Sequence, residues 1–578
     1  MNDLALRQAG FSELSCQFAQ FIARINHNND PLVAVTAGLV SEAVAQGHVC
    51  LNLQQTFSEG LDLPTDKGEW LQRLMDSSVI GLEGEYTPLI LTKEGCVYLY
   101  RYWREEQDVA EAIRKRCLPI ELFDEEQLQQ DFSQWNSNVE GVDWQKVAVL
   151  TALTRQFTVI TGGPGTGKTT IVLRLLAMLQ RQQSGMKIAL AAPTGKAAAR
   201  LQQAINVNNK QTVETTTLHR LLAISAQNEQ GRYNADNPIA IDFLIVDEAS
   251  MVDISLMAKL MRALPDKARL VLLGDSQQLS SVEAGAVLAN LCEQSPHYSD
   301  DFIGLIKLIT GQEISFENKS SSPLENSLVI LQTSYRFDKN STVGQLAKVV
   351  QKGDIQGLYT EINKAKQDVW QQQLDPFSIQ QYLMAAYQPY FDAIKAGEDA
   401  SSCLKLFEQF RVLAALKQGP HSVLSANELI EQSLKVQGWR VHQQLYYGKP
   451  IMVTQNDYRQ RLFNGDTGLV LRDNQGELSA CFWGEGQAVR WVKLSQLPAY
   501  ETAYAMTIHK SQGSEFNHVA ILLPAEESPL LNRELLYTAI TRAKLGVKVF
   551  SSEAVLEKTV TTQHQRETGL ATLLQRTE

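Results

Sequence analysis

A chain of 578 residues, 44% hydrophobic and 20% charged, is too long for one core and too apolar for wholesale disorder. It contains no run of 18 or more apolar residues. Its greasiest stretch, 31–45, is broken by Thr36, Ser41 and Glu42 and reads as a buried helix. The net charge of −11 argues against a globally basic nucleic-acid binder, but the acidity is local: residues 1–140 hold 10 basic and 22 acidic side chains, and the remaining 438 hold 43 and 42.

In chain order, residues 1–115 read as a helical N-terminal domain. Phe11, Leu14, Phe18, Phe21, Ile22 and Ile25 recur at helical spacing, and no nucleotide or metal motif appears. Such a domain is a docking module or a structural one. The acidic stretch 116–140 reads as a linker. A first α/β domain is expected over 141–330, with short β-rich runs at Phe157–Thr161, Ile188–Ala192, Phe243–Val246 and Leu270–Leu273 separated by helical stretches. The Ser-rich segment 313–325 reads as a surface loop. A second α/β domain is expected over 331–447 and 499–578. Between them, 448–498 has short alternating runs and Gly-rich turns, which reads as an inserted small β-barrel. The start of the chain lacks the basic and apolar regions of a signal peptide, so a cytoplasmic location is expected. Seven scattered cysteines form no CxxC pair and read as reduced, mostly buried thiols.

Two strings carry nucleotide chemistry. Gly162-Gly163-Pro164-Gly165-Thr166-Gly167-Lys168-Thr169 matches G-x-x-x-x-G-K-[ST], between a predicted strand and a predicted helix over 169–181. The glycines let backbone N–H groups turn toward phosphate oxygens, and the helix N-terminus adds partial positive charge. Lys168 is then expected on the β/γ-phosphates of ATP, with the Thr169 hydroxyl on Mg²⁺ and Thr170 beside it. Seventy-nine residues after Lys168, the apolar run Leu244-Ile245-Val246 ends in Asp247-Glu248. Asp247 is expected to serve the Mg²⁺ and Glu248 to polarise the attacking water.

Further strings resemble superfamily 1 helicases. Ala192-Pro193-Thr194-Gly195-Lys196 resembles the motif that lies along single-stranded DNA, and Thr217-Leu218-His219-Arg220 its neighbour; the latter is also readable as a plain amphipathic helix start. Leu273-Gly274-Asp275-Ser276-Gln277-Gln278 resembles the motif whose glutamine senses the γ-phosphate. Ser334-Tyr335-Arg336-Phe337 and Thr538-Ala539-Ile540-Thr541-Arg542 resemble those that supply arginine fingers. Met506-Thr507-Ile508-His509-Lys510-Ser511-Gln512-Gly513-Ser514-Glu515 resembles another strand-contacting motif. Gln145 is similar to the glutamine that reads adenine, with a plain surface glutamine as the rival reading. The wording of these strings, with Phe463-Asn464-Gly465-Asp466 at the head of the insert, is that of RecD-like helicases. The short acidic N-terminal region resembles the alpha-chain family of exodeoxyribonuclease V more than the free-standing helicases.

That resemblance implies two RecA-like parallel-sheet domains and an SH3-like insert. It implies ATP and Mg²⁺ as cofactors, and 5′-to-3′ movement on DNA. Catalysis would fall to Lys168, Glu248, Gln278, Arg336 and Arg542, and strand contacts to Pro193, Thr194, Gly195, His219, Thr507 and His509. The implied partners are single-stranded DNA, duplex ends, and the beta (RecB) and gamma (RecC) chains, with the N-terminal domain on the gamma chain and any nuclease site in a partner. An RNA helicase of the same superfamily and a slow ATP-hydrolysing switch are the rival readings.

Overall fold

The computed structural model describes residues 3–576 apart from 29, 57–60, 62, 118–119, 121–123, 137–138, 140, 183–184, 209–212, 226, 316–323, 338–340, 366–368, 373–374, 458, 485 and 487. The expected loop at 313–325 lies mostly outside these residues.

The N-terminal unit is not purely helical. Its helices Glu13–Ile25 and Pro31–Ala45 pack together, capped by Ser12 and Asp30 side chains that accept from the first-turn N–H groups. Beside them stands a four-stranded mixed sheet of order β1-β4-β3-β2, made of β1 (Leu51–Asn52), β2 (Ile80–Leu82), β3 (Leu89–Leu91) and β4 (Cys96–Leu99). These strands have two to four residues, and β3 is buried along its whole length, so they show no alternation from which to read them. The helix Tyr100–Arg116 comes next. Its Trp103, Val109 and Ile113 enter the same hydrophobic core as Met257, Leu260 and Leu264. The N-terminal unit is therefore fused to the first α/β lobe through one core. The expected linker is also structured: helix Glu125–Ser133 buries Leu128 and Phe132 in a core with Val147 and Ile171.

The first lobe is a wholly parallel sheet. Its strands are β5 (Phe157–Gly162), β6 (Ile188–Ala192), β7 (Thr215–Thr217), β8 (Phe243–Val246), β9 (Arg269–Gly274) and β10 (Leu328–Leu331), in the order β10-β5-β9-β8-β6-β7. Strands β5 and β8 are buried throughout, as expected when helices cover both faces. Leu331 pairs with Gly162, so the first lobe includes the residue at which the sequence places the start of the second.

The second lobe is also parallel: β11 (Trp370–Gln371), β12 (Phe410–Ala414), β18 (Ala505–Thr507), β19 (Phe516–Leu522) and β20 (Ala543–Phe550), in the order β11-β20-β19-β12-β18. Between β12 and β18 comes a five-stranded antiparallel sheet of β13 (Lys449–Val453), β14 (Thr467–Arg472), β15 (Leu478–Trp483), β16 (Val489–Lys493) and β17 (Tyr500–Thr502). Because β17 pairs with β13, this insert extends to 502 rather than 498. The end of the chain departs from expectation as well. After helix Glu553–Thr561 it leaves the second lobe, and helix Leu570–Gln575 packs on Tyr100–Arg116.

Candidate active site

In a parallel sheet the C-terminal strand ends gather the loops that bind ligands. Here the glycine loop follows β5, Pro193 follows β6, Asp247 follows β8 and Asp275 follows β9. The loop curls as its glycines allow: Gly165 and Gly167 have φ of +77° and +87°. A Cβ at Gly165 would collide with Arg336, and one at Gly167 with the Gln145 amide. That amide donates to Thr166 O at 3.0 Å, and Thr166 Oγ1 donates to Gly163 O at 2.8 Å. Lys168 Nζ donates to Gly163 O at 3.2 Å and also to Gly162 O.

A cleft of about 810 Å³ opens over this loop. The first lobe lines it with Gln145, Pro164 through Thr170, Asp247, Glu248 and Gln278. Arg336, Glu515 and Arg542 complete the lining from the segments that follow β10, precede β19 and precede β20. Gly162 and Gly163 form the base of the loop. Every expected nucleotide and catalytic residue is thus in this cleft or directly beneath it.

The electrostatics are sharply divided. Burial, with Glu248 alongside, pushes the Asp247 carboxyl up to about 6, and Lys168 opposes the shift only in part. Glu248 is held at φ +54°, a left-handed backbone that non-glycine residues seldom adopt. Gln278 links the lobes: its Nε2 donates to Asp275 Oδ2 at 2.8 Å, and its Oε1 accepts from Arg542 Nη2 at 2.9 Å. Arg542, 3% exposed, also donates to Thr538 O at 3.2 Å and Ser514 O at 3.3 Å. Next to Gln278, Leu279 N–H donates to Thr538 Oγ1 at 2.9 Å, and Leu279 O accepts from Gln512 at 2.9 Å.

Arg200, Tyr335 and Glu515 stand in or just beyond the motif strings, yet the sequence assigns them no role. Glu515 is a hub. It pairs with Arg336 at 2.6 Å, with Lys544 at 3.4 Å and with Arg200. Burial raises its affinity for a proton, but Arg200, Arg336 and Lys544 outweigh that and hold it down to about 2. Tyr335 N–H donates to Gly165 O at 2.8 Å, and Ser334 Oγ donates to Pro164 O at 3.1 Å. These two bonds tie the arginine-bearing segment to the glycine loop. Asp275 and Tyr537 are likewise new: the buried Asp275 accepts from the Tyr537 hydroxyl at 3.2 Å.

The residues expected to contact DNA lie outside this cleft. Pro193, Thr194 and Gly195 lead into helix Gly195–Asn208, where Phe463 of the insert covers Gly195; a Cβ there would meet its ring at 2.8 Å. Lys196 Nζ reaches Gly465 O at 3.4 Å, and burial pushes its ammonium down to about 8. Thr507 ends β18, and its hydroxyl accepts from Lys510 N–H at 3.3 Å. His509 is half-buried; burial and the nearby Arg566 push its imidazole down. The segment containing His509 approaches the Gly195 helix, where Arg200 donates to Gly513 O at 3.3 Å. His219 is exposed on the short helix Leu218–Leu221, directly after the edge strand β7.

Two parallel-sheet lobes meeting over a glycine loop define a helicase-type ATPase. Residues 145–284 match the AAA domain, and residues 502–549 match the UvrD-like helicase C-terminal domain. Residues 7–98 match the N-terminal domain of the RecBCD enzyme subunit RecD. The chain is 36% identical to RecBCD enzyme subunit RecD of Haemophilus influenzae, covering 83% of this chain and 80% of that one. It is 35% identical to the same subunit of Mycobacterium tuberculosis, covering 99% and 96%. It is 28% identical to the ATP-dependent RecD2 DNA helicase of Deinococcus radiodurans, covering 84% of this chain and 59% of that protein. The chain belongs to the RecD family of RecBCD enzyme subunits.

Proposed function

We propose that this chain is the ATP-driven DNA helicase subunit of a RecBCD-type heterotrimer, assembling with RecB-like and RecC-like chains and moving 5′ to 3′ at duplex ends. One observation carries the reading: Lys168, Arg336 and Arg542 line one cleft, with Arg336 set against the glycine loop and Arg542 bonded to Gln278. Guanidinium groups so placed can close on a γ-phosphate as the lobes approach, and can let go after hydrolysis.

In this reading Lys168 holds the β/γ-phosphates and Glu248 orients the attacking water. Gln278 relays loss of the γ-phosphate through Arg542. Gln145, braced on the glycine loop, reads adenine. Thr169 and Asp247 suit Mg²⁺, because a hydroxyl and a carboxylate crowded by Glu248 in the same cleft are oxygen donors that favour a hard cation. When bound, Mg²⁺ neutralises charge on the phosphates. Strand contacts fall to Pro193, Thr194, Gly195, His219, Thr507 and His509. The antiparallel insert fits an SH3-like barrel. Docking on a RecC-like chain is supported by the Glu13–Ile25 helix, where Leu14, Phe21 and Ile25 are exposed.

The test is Lys168→Gln in the full chain. Strand displacement on tailed duplex DNA is expected to vanish while the circular dichroism spectrum stays unchanged. Unwinding at the wild-type rate would sink the assignment, and stimulation of ATPase by RNA rather than DNA would favour the rival superfamily member.

A further inference from the structure

The end of the chain does something that neither lobe's motifs account for. Leaving helix Glu553–Thr561, it stays on the second lobe through Thr562, whose carbonyl accepts from Arg533 N–H at 2.8 Å, and through His564, whose N–H donates to Glu534 at 3.2 Å. Three residues later it belongs to the N-terminal unit. Glu567 O accepts from Val49 N–H at 2.9 Å, and Glu567 N–H donates to His48 Nδ1 at 2.9 Å. The fully buried Glu106 then accepts from Thr568 and, at 3.1 Å, from Gly569 N–H. Leu570, Leu573 and Leu574 complete the anchor in the core around Trp103.

Arg566 sits at the crossing. Its Nη1 donates to Glu283 O at 2.6 Å, Gly285 O at 2.8 Å and Ser281 Oγ at 3.2 Å, and its Nη2 donates to Ser281 O at 2.5 Å. Gly47 closes over the guanidinium so tightly that a Cβ there would lie 2.8 Å from Cζ, and Gly47 O accepts from Gly285 N–H at 2.9 Å. One fork thus gathers the acceptors of a single turn, 281–285. A lysine, with one point charge, cannot span them together. That turn begins three residues after Gln278 and two after Leu279, both bonded across the lobe interface. The Gln278 segment is fixed at its start by β9 and at its end by Arg566.

We infer that Arg566 is a positioning residue for ATP hydrolysis: its grip on the 281–285 turn sets where Gln278 stands against Arg542. The strap from Thr562 to Gly569 also makes that grip answer to both the second lobe and the N-terminal unit. The inference rests on Gln278 being the phosphate sensor of the proposed function. It needs no contact between Arg566 and nucleotide. A small misplacement of a catalytic group costs up to about 100-fold in rate, so removing the grip is expected to lower kcat by between about tenfold and 100-fold.

The test is a double-mutant cycle in the full chain, reading single-stranded-DNA-stimulated ATP hydrolysis and binding of a fluorescent ATP analogue. Arg566→Ala is expected to lower kcat within that range and to leave nucleotide affinity within about threefold. In a Gln278→Ala background it should lower kcat no further, because both changes disable one relay. If Arg566→Ala does not fold, Arg566→Lys carries the same cycle, with a smaller loss and the same non-additivity. A wild-type kcat in the folded Arg566 variant, or losses that multiply in the double variant, overturns the inference while leaving the sensor reading intact. A wild-type kcat in Gln278→Ala alone overturns both.

Discussion

Arg542 offers the sharpest quantitative test. A guanidinium has five N–H donors, and among the described residues three are engaged, by Thr538 O, Ser514 O and Gln278 Oε1. Two remain for the cleft that Arg542 lines. Hydrogen bonds to charged groups contribute about 1.5–3 kcal/mol each, so two made chiefly in the transition state stabilise it by about 3–6 kcal/mol. That corresponds to about 10²–10⁴ in kcat. Arg542→Gln keeps a polar side chain but loses the charge and the fork. Arg542→Lys keeps the charge alone and is expected to fall between Gln and wild type. The assay is steady-state ATP hydrolysis at saturating single-stranded DNA, with nucleotide affinity measured separately to show that the loss is in kcat. A folded Arg542→Gln variant with kcat within threefold of wild type would refute the closed-cleft reasoning.

Gly165→Ala is expected to abolish nucleotide binding without unfolding the lobe, since the positive φ is strained for alanine and its Cβ would strike Arg336; equilibrium binding of an ATP analogue checks this. Glu515→Gln is expected to lower the thermal midpoint at pH 7 by unpairing Arg200, Arg336 and Lys544. The folded carboxyl titrates at about 2 against an ordinary 4.5, so the unfolded chain takes up the proton first. The stabilisation is therefore full above pH 4.5 and fades toward pH 2. Melting curves should show the gap between variant and wild type narrowing over that window, and a gap as wide at pH 3 as at pH 7 contradicts the assignment.

The glycine loop and the Asp247 strand end were legible because each is a local requirement: positive φ, a phosphate cradle and a buried strand must be spelled in consecutive residues. The helix Glu13–Ile25 was legible in its period but not in its facing. Its large apolar residues Leu14 and Phe21 point outward, while the smaller Cys16 and Ala19 are buried with Ile22. Close helix packing against Gly38, where Ala19 Cβ lies 3.4 Å from the position of a Cβ, selects small residues, which hydrophobic spacing does not weigh. Glu515 and Arg200 lie in or near helicase-like strings, yet their pairing spans 315 positions, and nothing local marks it. Arg566 lies in a polar tail, and its acceptors are mostly backbone carbonyls, which carry no sequence signature at all.

The helix Tyr100–Arg116 has a practical corollary for dissecting this molecule. Arg116 Nη2 donates to Leu264 O and Pro265 O, each at 3.0 Å, and Trp103 shares a core with the helix Ile254–Ala263. Cutting the chain near position 115 would not liberate a motor from an accessory module. It would leave a greasy imprint on the motor's flank and take away the bed on which its tail lies, so the shortened protein should be sticky and sluggish for reasons unrelated to partner recognition.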